Sequence, residues 1–249
     1  MRQTKFRYLI PNLFTAASLL LGFAAVLLSA RGELELAAWM ICWGALLDKL
    51  DGAAARLLDA GSAFGAEFDS FADFVVFGIA PGALIWHSSL PLCAAGYLSE
   101  GLLAVCCGVY VTCTGVRLAR FNSSTPPGGE HIFYGIPTTL AGIIISTLYL
   151  TLCAQGLEEG TLQYLPGILF CLGLLMVSPL PLPKLQVRKS KALNLFQGFN
   201  IAGGYLCAPL QIFPEYLLGL GLVYLFVGLT WGQLSQDARS LRAGIAGSV

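Results

Sequence analysis

Charged side chains are scarce: Asp, Glu, Lys and Arg make up only 11% of the 249 residues, less than half of the roughly 25% usual in soluble domains. The chain has two histidines, His87 and His131, each isolated, and neither is assigned to a metal. Its eight cysteines (Cys42, Cys93, Cys106, Cys107, Cys113, Cys153, Cys171 and Cys207) contain no CxxC pair and lie mostly inside apolar runs. They read as small, reduced packing residues, not as a redox motif or a disulfide framework. No internal repeat is visible, and no linker is long enough to separate two domains. The formal net charge is zero, which gives no electrostatic draw toward nucleic acid. These absences exclude a water-soluble enzyme, a nucleic-acid binder and a disordered chain. What remains is apolar: 56% of residues are hydrophobic and the mean hydropathy is +0.74. That composition belongs to a polytopic membrane protein.

A span needs about 20 mostly apolar residues. Eight such stretches fall near 9–29, 34–57, 66–87, 98–118, 136–154, 163–178, 194–209 and 214–234. The seventh is interrupted by Asn194, Gln197 and Asn200. Arg2, Lys5 and Arg7 precede the first stretch as they would in a secretory signal, but Tyr8 to Ser29 is long enough to span a bilayer. Breaks are expected at Arg31-Gly32-Glu33, Ser88-Ser89-Leu90-Pro91, Ser123 to Gly129, Gly156 to Gly160, Pro179 to Lys191 and Phe213-Pro214. The basic residues give an orientation. Thirteen of the fourteen fall on one side: Arg2, Lys5, Arg7, Lys49, Arg56, Arg117, Arg120, Lys184, Arg188, Lys189, Lys191, Arg239 and Arg242. Only Arg31 falls on the other, with Glu33, Glu35, Glu158, Glu159 and Glu215. Positive-inside bias then puts both termini in the cytoplasm. The expectation is an all-α membrane bundle of about eight transmembrane helices, one domain over 1–249.

Between residues 40 and 80 the apolar pattern breaks. Asp48 and Asp51 sit near the cytoplasmic end of the second span, and Asp69 and Asp73 near the start of the third. Each costs roughly 2.5–3.5 kcal/mol at mid-bilayer on insertion scales. At about 100° per residue, Asp48, Asp51, Gly52, Ala55 and Arg56 share an arc of about 140°, with Leu50 and Leu57 opposite. Gly65, Asp69 and Asp73 advance about 40° per step and form one stripe. The small residues let a bulky ligand approach the backbone. Facing carboxylate pairs repel unless something positive lies between them, and oxygen-only ligation suits a hard divalent ion such as Mg²⁺ or Mn²⁺. Two such ions polarise phosphate and align a displacement, and Arg56 beside them reads as a phosphate clamp. A salt-bridge cluster that only fixes helix packing fits less well, because Arg56 and Lys49 leave four aspartates uncompensated.

Asp48-x2-Asp51-Gly52-x2-Ala55-Arg56-x8-Gly65-x3-Asp69-x3-Asp73 matches, at every fixed position, the signature of the CDP-alcohol phosphotransferase family. The likeness extends through Ile10-Pro11-Asn12-Leu13-Phe14-Thr15, Phe77-Gly78-Ile79-Ala80-Pro81, Arg117-Leu118-Ala119-Arg120-Phe121-Asn122, Tyr134-Gly135-Ile136-Pro137-Thr138 and Met176-Val177-Ser178. In these stretches the chain resembles the bacterial, integral-membrane phosphatidylserine synthases over most of residues 8–191; the last two spans add little. The resemblance implies transfer of a phosphatidyl group from CDP-diacylglycerol to the hydroxyl of L-serine, with release of CMP. It implies two divalent ions, Mg²⁺ or Mn²⁺, bridged by Asp48 and Asp69, with Asp51 completing the first site. Asp73 would touch the second ion and act as general base. It implies a CDP-diacylglycerol site that includes Asn12, Thr15, Gly52, Ala55, Arg56, Ser62 and Gly65. It also implies a homodimer in a bacterial cytoplasmic membrane, with the active site on the cytoplasmic side.

Arg117, Arg120 and Asn122 are candidates for acceptor selection, since an Arg can pair with a serine carboxylate or a lipid phosphate; serving only topology is the competing role. Lys184, Arg188, Lys189 and Lys191 are expected to meet anionic headgroups of membrane lipid. Two features depart from the synthase pattern: Val76 stands where a serine is expected one turn from Asp73, and the Ser123 to Glu130 loop is individual. Other acceptors therefore stay open: glycerol 3-phosphate, inositol or inositol phosphate. More remote is a cation transporter, which predicts carboxylates spread across the membrane depth instead of gathered near one face.

Overall fold

A computed structural model describes residues 3–124, 132–156, 159–183 and 202–234. The described chain is helical: α1 Gln3–Ala30, α2 Leu34–Leu57, α3 Ala63–Asp73, a π-helical turn Phe74–Ile79, α4 Ala80–Ala94, α5 Glu100–Ser124, α6 Thr138–Ala154, α7 Glu159–Leu162 and α8 Leu165–Val177. Then come α9 (202–210) and α10 Pro214–Leu234. Among the described residues, three helical stretches are long and apolar enough to cross a membrane: Arg7–Ala30, Ala63–Ala94 and Glu100–Ser123. Residues 138–154, 165–177 and 214–230 form shorter apolar helices. Helices lie at each of the eight expected stretches, but residues 194–201 of the seventh are outside the described residues. So are Arg2, the loop residues 125–131, the basic run Lys184 to Lys191, Arg239 and Arg242.

The second stretch ends where its apolar run ends. The third does not, because α3, the π turn and α4 run on as one segment from Ala63 to Ala94. Pro91, expected to break this helix, lies inside its last turn. The stop is Gly96, whose φ of +81° favours a residue without Cβ. Tyr97 N donates to Leu92 O at 3.0 Å and Gly96 N to Cys93 O at 3.1 Å, which closes the helix end.

One β element among the described residues departs from the all-helical expectation: Ile132–Tyr134 (β1) pairs antiparallel with Pro181–Pro183 (β2). Next to it Gly135 has φ +75°, and a Cβ there would collide with the Met176 carbonyl. Gly135 N donates to Leu180 O at 2.8 Å and Ile136 N to Leu175 O at 3.2 Å. The start of α6 is thus stapled to the end of α8.

The core is built from α1, α2, α4, α5, α6 and α8 around Ile41, Phe77, Leu84, Tyr110, Ile145 and Leu169, all fully buried. Close approach of α1 and α2 to the third segment depends on two glycines. A Cβ on Gly22 would lie 2.7 Å from Val76 Cγ2, and one on Gly44 2.6 Å from Val76 Cγ1. Val76 therefore plugs a glycine notch and has no exposed surface. Its side chain packs there as an apolar wedge, which accounts for valine where the synthase pattern has serine.

Candidate active site

The carboxylates gather where α2 ends and α3 begins. The α2 end is set by Asp59, at φ +47°, with Ala60 N donating to Ala55 O at 2.9 Å and Asp59 N to Arg56 O at 3.3 Å. Arg7 on α1 grips this turn, donating from Nε to Leu58 O at 2.9 Å and from Nη2 to Asp59 O at 2.9 Å. Ser62 then caps α3, its Oγ accepting from Gly65 N at 3.0 Å. Asp48 lies nine residues before the end of α2 and Asp73 ten residues after the start of α3, about 14 Å along each helix at 1.5 Å per residue.

One carboxylate oxygen from each of Asp48, Asp51 and Asp69 lies within 4.8 Å of the others. Asp73 joins them: its carboxyl interacts with those of Asp48 and Asp69, and Thr138 Oγ1 donates to Asp73 Oδ2 at 3.4 Å. Thr15, itself buried, donates to Asp51 Oδ2 at 2.8 Å. Lys49 puts a cation beside Asp48, with Nζ at 3.8 Å from Oδ2, and its side chain is largely exposed. So much negative charge on facing helices, ligated only by oxygen, fits a hard divalent ion.

The cluster has two unlike sides. One opens into a cavity of about 200 Å³ between α1, the end of α2 and the start of α3, lined by Asp51 and Asp69 among others. Six of the seven residues expected to hold the nucleotide lipid line it: Asn12, Thr15, Gly52, Ala55, Ser62 and Gly65. The seventh, Arg56, is exposed at the rim, with its guanidinium folded back: a Cβ on Gly52 would meet Arg56 Nη1 at 3.4 Å. A Cβ on Gly65 would meet Ser62 Oγ at 3.0 Å and Asn12 Oδ1 at 3.4 Å, so position 65 in the cavity wall must stay small.

On the other side stand Asp48 and Asp73. Arg117 lies in the electrostatic field of Asp73, and its Nε is buried with no hydrogen-bond partner. Arg120, one turn further along α5, is exposed and acts on Arg117 as a like charge. Asn122 is exposed near the end of α5. Its amide is tied to α3, Nδ2 lying 3.0 Å from Ser70 Oγ and 3.3 Å from Glu67 Oε2, so it bridges α5 to α3.

Two residues on this side carry no signal of a site role in the sequence. Thr138 belongs to a stretch of family likeness, but its contact with Asp73 spans 65 positions. Tyr205, on α9, donates to Leu46 O at 3.2 Å and interacts electrostatically with Asp48. Trp43 Nε1, donating to Ala208 O at 2.6 Å, fixes the same helix to α2. Neither contact leaves a local pattern; only the pairing of polar residues on otherwise apolar spans hints at them.

Residues 8–177 match the family model described as CDP-alcohol phosphatidyltransferase. A relative from Helicobacter pylori named CDP-diacylglycerol–serine O-phosphatidyltransferase is 32% identical, over 79% of this chain and 90% of its own length. One of the same name from Bacillus subtilis is 33% identical, over 76% of this chain and 97% of its own length. An archaetidylserine synthase from Methanothermobacter thermautotrophicus is 32% identical, over 71% of this chain and 70% of its own length.

Proposed function

The chain belongs to the CDP-alcohol phosphatidyltransferase family, and on that premise we propose that it transfers the phosphatidyl group of CDP-diacylglycerol to the hydroxyl of L-serine. The products are phosphatidylserine and CMP. The observation that carries the reading is the two-sided cluster: four aspartates with a cavity beside Asp51 and Asp69, and basic and hydroxyl groups beside Asp48 and Asp73.

In this reading the cytidine diphosphate part occupies the cavity, against Asn12, Thr15, Gly52, Ala55, Ser62 and Gly65, with Arg56 closing over phosphate from the rim. Asp48, Asp51 and Asp69 would hold one divalent ion, and Asp48, Asp69 and Asp73 a second, Mg²⁺ or Mn²⁺. When bound, these ions neutralise the pyrophosphate and stabilise CMP as leaving group. The serine oxygen attacks the phosphorus that carries diacylglycerol, the bond from that phosphorus to the CMP oxygen breaks, and the hydroxyl proton passes to Asp73. A carboxylate held ionised in such a site is a weak base, so its effect comes from position, and the Thr138 hydroxyl orients it. Arg117 pairs with the acceptor carboxylate; its buried, unpartnered Nε supports this, since such a donor is costly without an acceptor. Asn122 serves as a brace between α5 and α3.

Serine is supported by the activity named for the relatives and by Arg117. The bias of basic residues supports a cytoplasmic active site in a bacterial cytoplasmic membrane, and the family likeness supports a homodimer. The test is CMP release by the purified protein in detergent with CDP-diacylglycerol and Mn²⁺ or Mg²⁺. L-serine, glycerol 3-phosphate, inositol and inositol phosphate are offered in parallel, with Asp73→Asn as control. Phosphatidylserine formed only with serine, and lost in the control, is the expected result. Turnover with another acceptor alone would refute the role given to Arg117.

A further inference from the structure

The third membrane segment leaves regular helix immediately after Asp73, at the π turn Phe74–Ile79. Its cause lies in the sequence. Pro81 has no N–H, and in an unbroken α-helix its ring would collide with the carbonyl four residues back, that of Phe77. The chain takes up one extra residue instead, with Ala80 N donating to Val75 O across five positions. The Phe77 carbonyl, denied a helical donor by Pro81, accepts from the Tyr110 hydroxyl of α5 at 2.7 Å. Tyr110 and Phe77 have no exposed surface.

The turn is gripped from every side. Val76 fills the notch between Gly22 and Gly44, and a Cβ on Gly142 of α6 would lie 2.9 Å from Phe77 Cδ1. Phe74 lies against Gly115, where a Cβ would meet its ring at 3.4 Å. A phenylalanine at 110 would pack as well as a tyrosine, and a buried hydroxyl is costly unless bonded. The phenol is therefore explained by its bond to Phe77. Inserting one residue rotates the helix before the turn by about 100° relative to the helix after it, and the residue that directly precedes the turn is Asp73.

We propose that Tyr110 is a positioning residue: its bond to the Phe77 carbonyl holds the π turn, and the turn sets the direction in which Asp73 meets the acceptor. The inference rests on the proposed function, in which Asp73 serves the acceptor side. Two variants of the full chain test it. Tyr110→Phe removes the donor, and Pro81→Ala removes the cause of the turn by restoring a helical N–H for Phe77. Each is expected to lower kcat about tenfold, the scale of a small misplacement of a reacting group. The KM for CDP-diacylglycerol should stay within about twofold, because the α1 and α2 walls of the cavity and the Ser62 cap of α3 keep their contacts while Asp73, next to the turn, moves most. The double variant should be no slower than either single one, since both act through one turn.

Unchanged kcat in Tyr110→Phe overturns the inference. So do losses that multiply in the double variant, or a fall of kcat, substrate affinity and thermal unfolding midpoint together, which marks loss of packing. No turnover by the wild-type chain with any acceptor overturns the proposed function and this inference with it. Wild-type turnover matched by Tyr110→Phe overturns this inference alone.

Discussion

Along α2, the stretch from Ala37 to Ala45 and the stretch from Asp48 to Leu57 are both rich in alanine and glycine, yet their neighbours differ. In the first, Ala37, Ala38, Ile41, Gly44 and Ala45 are buried on a helix that packs against α1, α6 and the π turn, and Gly44 is where Val76 enters. In the second, Gly52 faces only the Arg56 guanidinium and the cavity, and Leu57 is 86% exposed. The same absence of a large side chain lets another helix close in at one position and keeps the cavity open at the other. Under the proposed function, stability and chemistry thus fall to different halves of one helix, and substitutions are expected to separate them.

The largest effect is expected from the carboxylates. Asp51→Asn and Asp69→Asn should each lower kcat by about 10²–10³-fold, the scale of losing one electrostatic contributor to a transition state. The unfolding midpoint in detergent should hold or rise, because one of several converging like charges is gone. A midpoint that fell in step with activity would turn the cluster into a packing device. Next comes Ile41→Ala, which empties a fully buried core position in the first half and should cost about 2–5 kcal/mol of stability. CMP release per folded molecule should stay near wild type; an equal fall in both would erase the distinction between the halves. Gly52→Ala should do the reverse, with helix stability higher by about 0.8 kcal/mol and the KM for CDP-diacylglycerol higher by about tenfold from one added methyl. The smallest effect belongs to Arg7→Gln, which weakens the grip on Leu58 O and Asp59 O. A loss of about 1 kcal/mol is expected, read by thermal unfolding, with kcat unaltered.

How local a feature is decides whether the sequence displays it. The aspartate motif lies within 26 positions on two consecutive helices, so helical spacing alone puts its members on facing stripes. Six of the seven residues expected at the nucleotide converge on one cavity because they lie on or between the same two helices and on the adjoining face of α1. The other side joins α2 and α3 to α5, α6 and α9, and periodicity within one helix says nothing of Thr138 or Tyr205. Pro91 is no stop because a proline near a helix end removes only one bond, whereas Gly96 supplies the left-handed residue that closes the helix. Pro81 carries the signal for the π turn. That signal cannot be read locally, because the compensating donor, Tyr110, is 33 positions from the carbonyl it satisfies.

The staple at Gly135 also bears on the order in which the chain can fold as it is made. The cavity side needs only α1, α2 and α3, all complete by Asp73, whereas Thr138 is held in place by a segment anchored to Leu175, Met176 and Leu180. On the proposed roles, a nascent chain is expected to shape its nucleotide side early and to wait for roughly another hundred residues before its acceptor side closes. Chains stalled at increasing lengths should gain binding of a cytidine nucleotide well before they gain the power to transfer. Under the proposed function, transfer is thus expected only after the segment that pairs with Gly135 and Ile136 has been made.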